Sequence, residues 1–367
     1  MQYNGKQPPL GLFAILGRLS AIGLILVAAA ALFAFTGGWF SPERHTQDRF
    51  MAAFEAHDGK HPGFRRNHAK GVCVTGWFDA SADAASLSRA AIFHLQRVPI
   101  VGRFALAGGA PFQADDPVQV RSMALRFMPL AAQEWRTGMN DIPVFVVNSS
   151  DGFYDLLKAS APDPATGKPD PGAMKEFFER HPESGPAMAL VKARSISSGF
   201  ADDTYNSLNA FYVTSPSGAT LPVRWSAVAM QPFAADDPAG HAGTGKDYLF
   251  DELLRQLELH ALKWRLVFTV GEPGDPTRDA TLPWPKERRE VAAGVITLAR
   301  AFSEDRGACT DVNYDPTVLP DGISVSDDPL LAARASVYAR SFTLRSAEKS
   351  QKPPSGISPK NIGELAP

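Results

Sequence analysis

Short runs of β-branched and aromatic residues, bounded by Pro, Gly or Asp, recur along this chain. They predict strands at residues 72–78, 98–106, 123–128, 144–147, 210–213, 225–230, 266–270 and 294–298. The spacing of apolar positions turns helical at 50–56, 174–180, 247–260 and 329–345. Strands this numerous, with few long helices between them, suit an antiparallel sheet or closed barrel better than a βαβ array. The expected class is α+β: an antiparallel β-barrel with surrounding helices, in one domain over about residues 46–345. Residues 346–367 carry Lys, Ser, Pro and Gly without apolar periodicity and predict a disordered tail.

A different pattern precedes the domain. From Leu19 to Phe40, 22 residues pass without a charge, and a helix of that length spans ~33 Å, enough for a bilayer core. Lys6 and Arg18 precede it and no acid does. The positive-inside rule then puts residues 1–18 in the cytoplasm and the domain on the extracytoplasmic (periplasmic) side. Trp39 and Phe40 close the segment as interfacial aromatics do. The competing reading is a cleaved signal peptide, with Ala28 to Ala31 as small residues for a peptidase. The run is long for a signal core and no small-x-small site follows it, so a single-pass anchor at 19–40 is preferred. On either reading the domain ends up outside the cytosol.

Composition adds boundaries rather than detail. Apolar residues at 44%, aromatic at 10% and charged at 21% are those of an ordinary globule, and 30 Gly with 30 Pro point to a loop-rich one. A net charge of −2 gives no electrostatic case for nucleic acid as a partner. There is no P-loop, C-x-x-C or G-x-S-x-G elbow, and the histidines form no H-E-x-x-H cluster. Cys73 and Cys309 are the only cysteines. Outside the cytosol they are free to pair, yet Cys73 sits mid-strand and suits a buried thiol equally well, and sequence does not fix their separation.

Candidate chemistry gathers in two short words. The first is Arg65-Arg66-Asn67-His68-Ala69-Lys70-Gly71, near the start of the domain; the second is Arg334-Ala335-Ser336-Val337-Tyr338, near its end. Asp328-Pro329 starts a helix, and Arg334, Tyr338, Ser341 and Arg345 then fall on one face of it. Two arginines and a tyrosine make a poor core face unless something anionic or metallic covers them; the bland alternative is a solvated basic face with a snorkelling tyrosine.

These words, and the segments between them, resemble the haem catalases, and more closely the small catalase-related peroxidases that lack an extra C-terminal domain. The resemblance runs from about Gly63 to Arg345. It includes Gly76-Trp77-Phe78, Arg103-Phe104, Arg121 to Phe127, Asn140-Asp141-Ile142-Pro143-Val144-Phe145, Phe153, Asp275-Pro276-Thr277, Trp284-Pro285 and Gly294. It implies a catalase-like barrel holding a b-type haem iron, with Tyr338 as the axial phenolate and His68 with Asn140 on the distal side. It also implies Arg334 beside the phenolate, Phe153 stacked on the haem, and Arg65, Arg103 and Arg345 pairing with its propionates. A neutral imidazole with an ordinary pKa near 6.5 suits proton transfer in both directions. A phenol ionises near pH 10, so a phenolate at pH 7 needs roughly 4 kcal/mol, which a ferric ion and a nearby arginine supply.

Each position also has a plain structural reading: His68 as a core histidine, Asn140 as a turn residue, Phe153 as core, Arg103 and Arg121 as surface charges. Two departures from the large catalases bear on activity. Ala105 stands where they usually carry serine, and Ala339-Arg340-Ser341 replaces an Asp-Thr-His run. The implied function is a haem peroxidase that reduces organic hydroperoxides, and hydrogen peroxide, with an organic electron donor. A minimal true catalase, a hydroperoxide isomerase and a non-catalytic haem- or lipid-binding membrane protein remain alternatives. The oligomeric state is not set by the sequence.

Overall fold

The computed structural model describes residues 11–36, 45–163, 165–241 and 243–357, and the chain divides into two units after Thr46. The first unit holds one helix, α1 (Leu12–Thr36). Its mean hydropathy reaches 2.4 over an 18-residue window, long and apolar enough to cross a membrane. It starts earlier than the expected 19–40, because Leu12 to Gly17 extend the apolar run through Arg18; residues 37–40 lie outside the described part.

The second unit is built on antiparallel strands: β1 (Gly71–Ala80), β2 (Val98–Leu106), β3 (Arg121–Phe127), β4 (Trp135–Asn140) and β5 (Tyr205–Asn206). They continue as β6 (Phe211–Thr214), β7 (Thr220–Ala229), β8 (Leu262–Val270), β9 (Glu290–Phe302) and β10 (Ile323–Val325). Pairing runs β7-β5-β4-β3-β2-β1-β9-β8, and β8 pairs back onto β7. Eight strands thus close into a barrel with no free edge, while β6 and β10 extend from β7. The helices are α2 (Gln47–Asp58), α3 (Ala82–Leu87), α4 (Ser150–Ala159), α5 (Pro171–Arg180), α6 (Ser184–Lys192), α7 (Tyr248–Leu259) and α8 (Pro329–Ala347).

Side-chain alternation sorts each strand into two faces. On β1, Val72 and Val74 join the main core, whereas Cys73 packs with Val101, Val312 and Tyr314 on the other face. On β4, Trp135, Thr137 and Met139 are buried. Trp135 lies 4.7 Å from Phe127 and 5.0 Å from Trp225, ring centre to ring centre, and Trp225 donates to Thr137 Oγ1 at 2.9 Å. The opposite face of β2, β3 and β4 is roofed by helices. There, Phe50, Met51 and Phe54 of α2 pack with Phe153 and Leu157 of α4 and with Val337 of α8.

Two expectations need correction. Residues 144–147 form no strand: Pro143 offers no N–H, and the chain turns out of the sheet towards α4. The adjoining strand is β4, whose glycine and short length hid it. Residues 346–357 are not a loose tail. Glu348 pairs with buried Arg66 at 2.7 Å, Lys352 pairs with Asp305 at 2.5 Å, and Ile357 is buried. Residues 358–367 lie outside the described part.

Candidate active site

A cavity of about 360 Å³ lies between the outer face of β2–β4 and helices α2, α4 and α8. All eight residues singled out in the sequence line it: Arg65, His68, Arg103, Asn140, Phe153, Arg334, Tyr338 and Arg345. The register explains the wall. Ala105, Ser122 and Asn140 are successive cross-strand neighbours, and Arg103, Ala124 and Gly138 form the adjacent row. Small side chains at four of these six positions leave the space. Gly71 is required for a different reason: a Cβ there would come within 2.4 Å of the Arg103 guanidinium.

His68 has a left-handed backbone, φ +55°, a conformation uncommon outside glycine. The Asn67 carboxamide holds it by accepting from His68 N and Gly108 N, both at 2.8 Å. The His68 Nδ1 atom is buried without a hydrogen-bond partner. Burial, then the charges of Arg103, Arg334 and Arg65, pushes its pKa down to about 3, with the Leu106 backbone opposing. The imidazole is therefore neutral at physiological pH.

Tyr338 rides on α8, whose N-terminus is capped by Asp328, with Pro329 in the first turn. Arg334, one turn earlier, donates to Tyr338 Oη at 3.2 Å and to Asn209 Oδ1. Asn209 in turn donates to Asp328 Oδ2 at 2.7 Å. A chain from the helix cap through Asn209 and Arg334 thus orients the phenol. Nothing in the sequence pointed to Asn209, which acts from a loop between β5 and β6.

The cationic end of the cavity holds three arginines. Arg103, 3% exposed, grips Glu304 through two bonds of 2.5 and 2.9 Å. Arg65 donates to the carbonyls of Cys309 (3.0 Å) and Val312 (3.2 Å) and sits 5.6 Å over the Tyr314 ring. Arg345 donates to the carbonyls of Thr310 and Val312. Burial, then the neighbouring arginines, lowers Arg65 to about 10 and Arg345 to about 9, so both stay charged at neutral pH. Burial raises the Glu304 carboxyl, but the charge and hydrogen bonds of Arg103 outweigh it, and its pKa falls below the ordinary value. Three guanidiniums against this one carboxylate leave a net charge near +2, which calls for two negative charges from a ligand. The reading of Arg103 as a surface charge is thereby excluded, as it is for Arg121, which pairs with Asp203 away from the cavity.

Phe153 sits on α4, capped by Ser149, and stacks at 6.3 Å on Phe50. With Phe54, Phe145, Val337 and Phe342 it makes the helical side of the cavity apolar. Cys73 and Cys309 are joined in a disulfide, Cα to Cα 5.4 Å, which settles the alternative left open by the sequence. An apolar group bearing two carboxylates fits this donor set: apolar walls, an arginine cluster at one end, a phenol from α8, and an imidazole from the strand β1 lead-in.

Comparison with known proteins agrees. Residues 50–359 match the family model described as Catalase. A "Catalase-related peroxidase" of Synechococcus elongatus is 35% identical over 89% of this chain and 96% of its own length. A second protein of that name, from Mycolicibacterium paratuberculosis, is 31% identical over 84% of this chain and 98% of its own. A "Catalase" of Pseudomonas aeruginosa is 28% identical, and this chain spans 55% of its length. Among solved structures, one titled "Structure of a bacterial catalase" superposes with a TM-score of 0.68 at 21% identity, covering 78% of this chain and 58% of that one. That likeness establishes the fold.

Proposed function

This chain belongs to the catalase family, and from that premise we propose that it reduces organic hydroperoxides, and hydrogen peroxide, at the expense of an organic electron donor. The observation that carries the cofactor assignment is the unbalanced arginine cluster beside the Tyr338–Arg334 pair in a single cavity. Bound haem would supply the redox-active iron that takes oxidising equivalents from the peroxide. Arg65, Arg103 and Arg345 would hold its two carboxylates, whose charges would offset the arginine share of the lowered His68 pKa, while burial, the larger cause, stays. Tyr338 would offer its side-chain oxygen to the iron, with Arg334 donating to that oxygen. His68 accepts the peroxide proton and returns it to the departing oxygen, so that water or an alcohol leaves. Asn140 donates a hydrogen bond to the peroxide without competing for its proton.

The choice of donor-dependent turnover over disproportionation rests on two features. Ala105 leaves no hydroxyl at that point of the distal wall, and the relatives matched almost end to end bear the peroxidase name. Localisation follows from the same reasoning: α1 anchors the chain, and a disulfide suits a domain outside the cytosol. The test compares oxygen release from hydrogen peroxide with donor oxidation by an alkyl hydroperoxide, on one haem-quantified sample. Donor oxidation with weak oxygen release is expected. Rapid oxygen release with negligible donor oxidation would make this a minimal true catalase.

A further inference from the structure

The groups that hold the cationic end of the cavity lie almost entirely on one loop, residues 303–314, between β9 and β10. Glu304 takes Arg103; the Cys309 and Val312 carbonyls take Arg65; the Thr310 and Val312 carbonyls take Arg345. Carbonyls differ from side chains in one respect: their direction is fixed only by the backbone that bears them. Within the loop, that backbone is shaped by turn bonds such as Gly307 N to Ser303 O, 2.8 Å, and Val312 N to Cys309 O, 3.2 Å. One covalent tie is added, from Cys309 to Cys73.

The far end of that tie is placed to matter. Cys73 lies directly across from Arg103 in the β1–β2 ladder, so the disulfide reaches the row of the sheet from which Arg103 projects. The loop is packed tightly on it as well: a Cβ on Gly307 would stand 2.4 Å from Cys73 Sγ. Both cysteines are buried, at 1% and 0% exposure.

We infer that Cys73 and Cys309 are positioning residues, whose disulfide fixes the carbonyls of 309–312 and so preorganises Arg65 and Arg345 for a dianionic ligand. The inference rests on the haem reading above. It separates retention of the ligand from turnover, because the groups assigned to chemistry are held by other bonds: His68 by Asn67, and Tyr338 through Arg334, Asn209 and Asp328. Opening the disulfide frees the loop, and the arginines then lose orientation at binding, while a ligand once bound still meets the same phenol and imidazole.

The test uses the full chain, detergent-solubilised, as parent and as the Cys73→Ser/Cys309→Ser double variant. Haem loss to excess apo-globin is followed at the Soret band, together with turnover per bound haem and hydrogen exchange of amides 303–314 in the haem-free protein. We expect faster exchange in that loop and haem loss about 10-fold faster, with Soret position and turnover per haem unchanged. Arg345→Lys should accelerate loss less in the double variant than in the parent, since both changes act through one clamp. Unchanged haem loss, or additive effects of the two changes, overturns the inference. Should the double variant fail to fold, the folded parent is reduced with a water-soluble phosphine, which with water yields two thiols and phosphine oxide; loss unaffected by reduction is equally fatal. A parent without a Soret band would instead remove the haem reading itself.

Discussion

Replacing Glu304 by Gln should weaken the haem-free protein and tighten its grip on haem. The side chains of Glu304 and Arg103 are 7% and 3% exposed, and they pair through two short bonds. Removing one charge of such a buried pair costs about 3–5 kcal/mol, and Gln, which keeps an acceptor and the volume, belongs near 3. In the haem-free state the substitution raises the cluster's net charge from about +2 to +3. With two carboxylates bound it goes only from about 0 to +1, so the cost should fall to about 1 kcal/mol. By linkage the difference, about 2 kcal/mol, appears as roughly 30-fold tighter haem binding. Urea unfolding of both forms, read by the buried tryptophans, measures each leg. There is also a pH signature. Glu304 titrates below its ordinary value of 4.5 when folded, so its stabilisation is complete above that value. It is lost as pH falls through the lower folded pKa. The haem-free parent should therefore lose stability more steeply than Glu304→Gln below about pH 4.5. Equal costs with and without haem, or a haem-free cost under about 1 kcal/mol, would refute the charge-count argument.

Two further outcomes test the remaining assignments. His68→Ala should retain the Soret band while slowing peroxide consumption by about 10²–10⁴-fold; a variant that reacts at the parental rate would remove His68 from proton transfer. Tyr338→Phe should lose haem or shift its spectrum, because no phenolate oxygen remains, and an unchanged spectrum would move the ligand elsewhere.

What could be read from the sequence was local, and what could not was relational. The Asp328–Pro329 start and the i, i+4 spacing of Arg334 and Tyr338 are properties of one helix, so the face they share was visible before any fold was known. The word around His68 was equally compact. By contrast, the partners of Arg65 and Arg345 are backbone carbonyls, which every residue has and no sequence marks. Asn209 and Glu304 carry no local signal either; they matter only because the barrel brings distant loops to the cavity. The cysteines stayed ambiguous because a sequence separation of 236 says nothing about distance in space. The misplaced strand at 144–147 shows β-branched residues outvoting Pro143, and the expected loose tail overlooked Glu348, whose partner Arg66 lies near the other end of the domain.

Arg65 and His68 are made early during synthesis, whereas Arg334, Tyr338 and Arg345 lie on the last long helix. The cavity cannot be complete until that helix has docked. A ribosome delivers the chain from its N-terminus, and a segment such as α1 would engage the membrane long before α8 exists. If the cavity takes haem as proposed, stable binding waits until α8 has been made. On that reading a truncated product that stops short of residue 334 should be colourless however well its barrel forms, so cofactor acquisition doubles as a report that α8 was made.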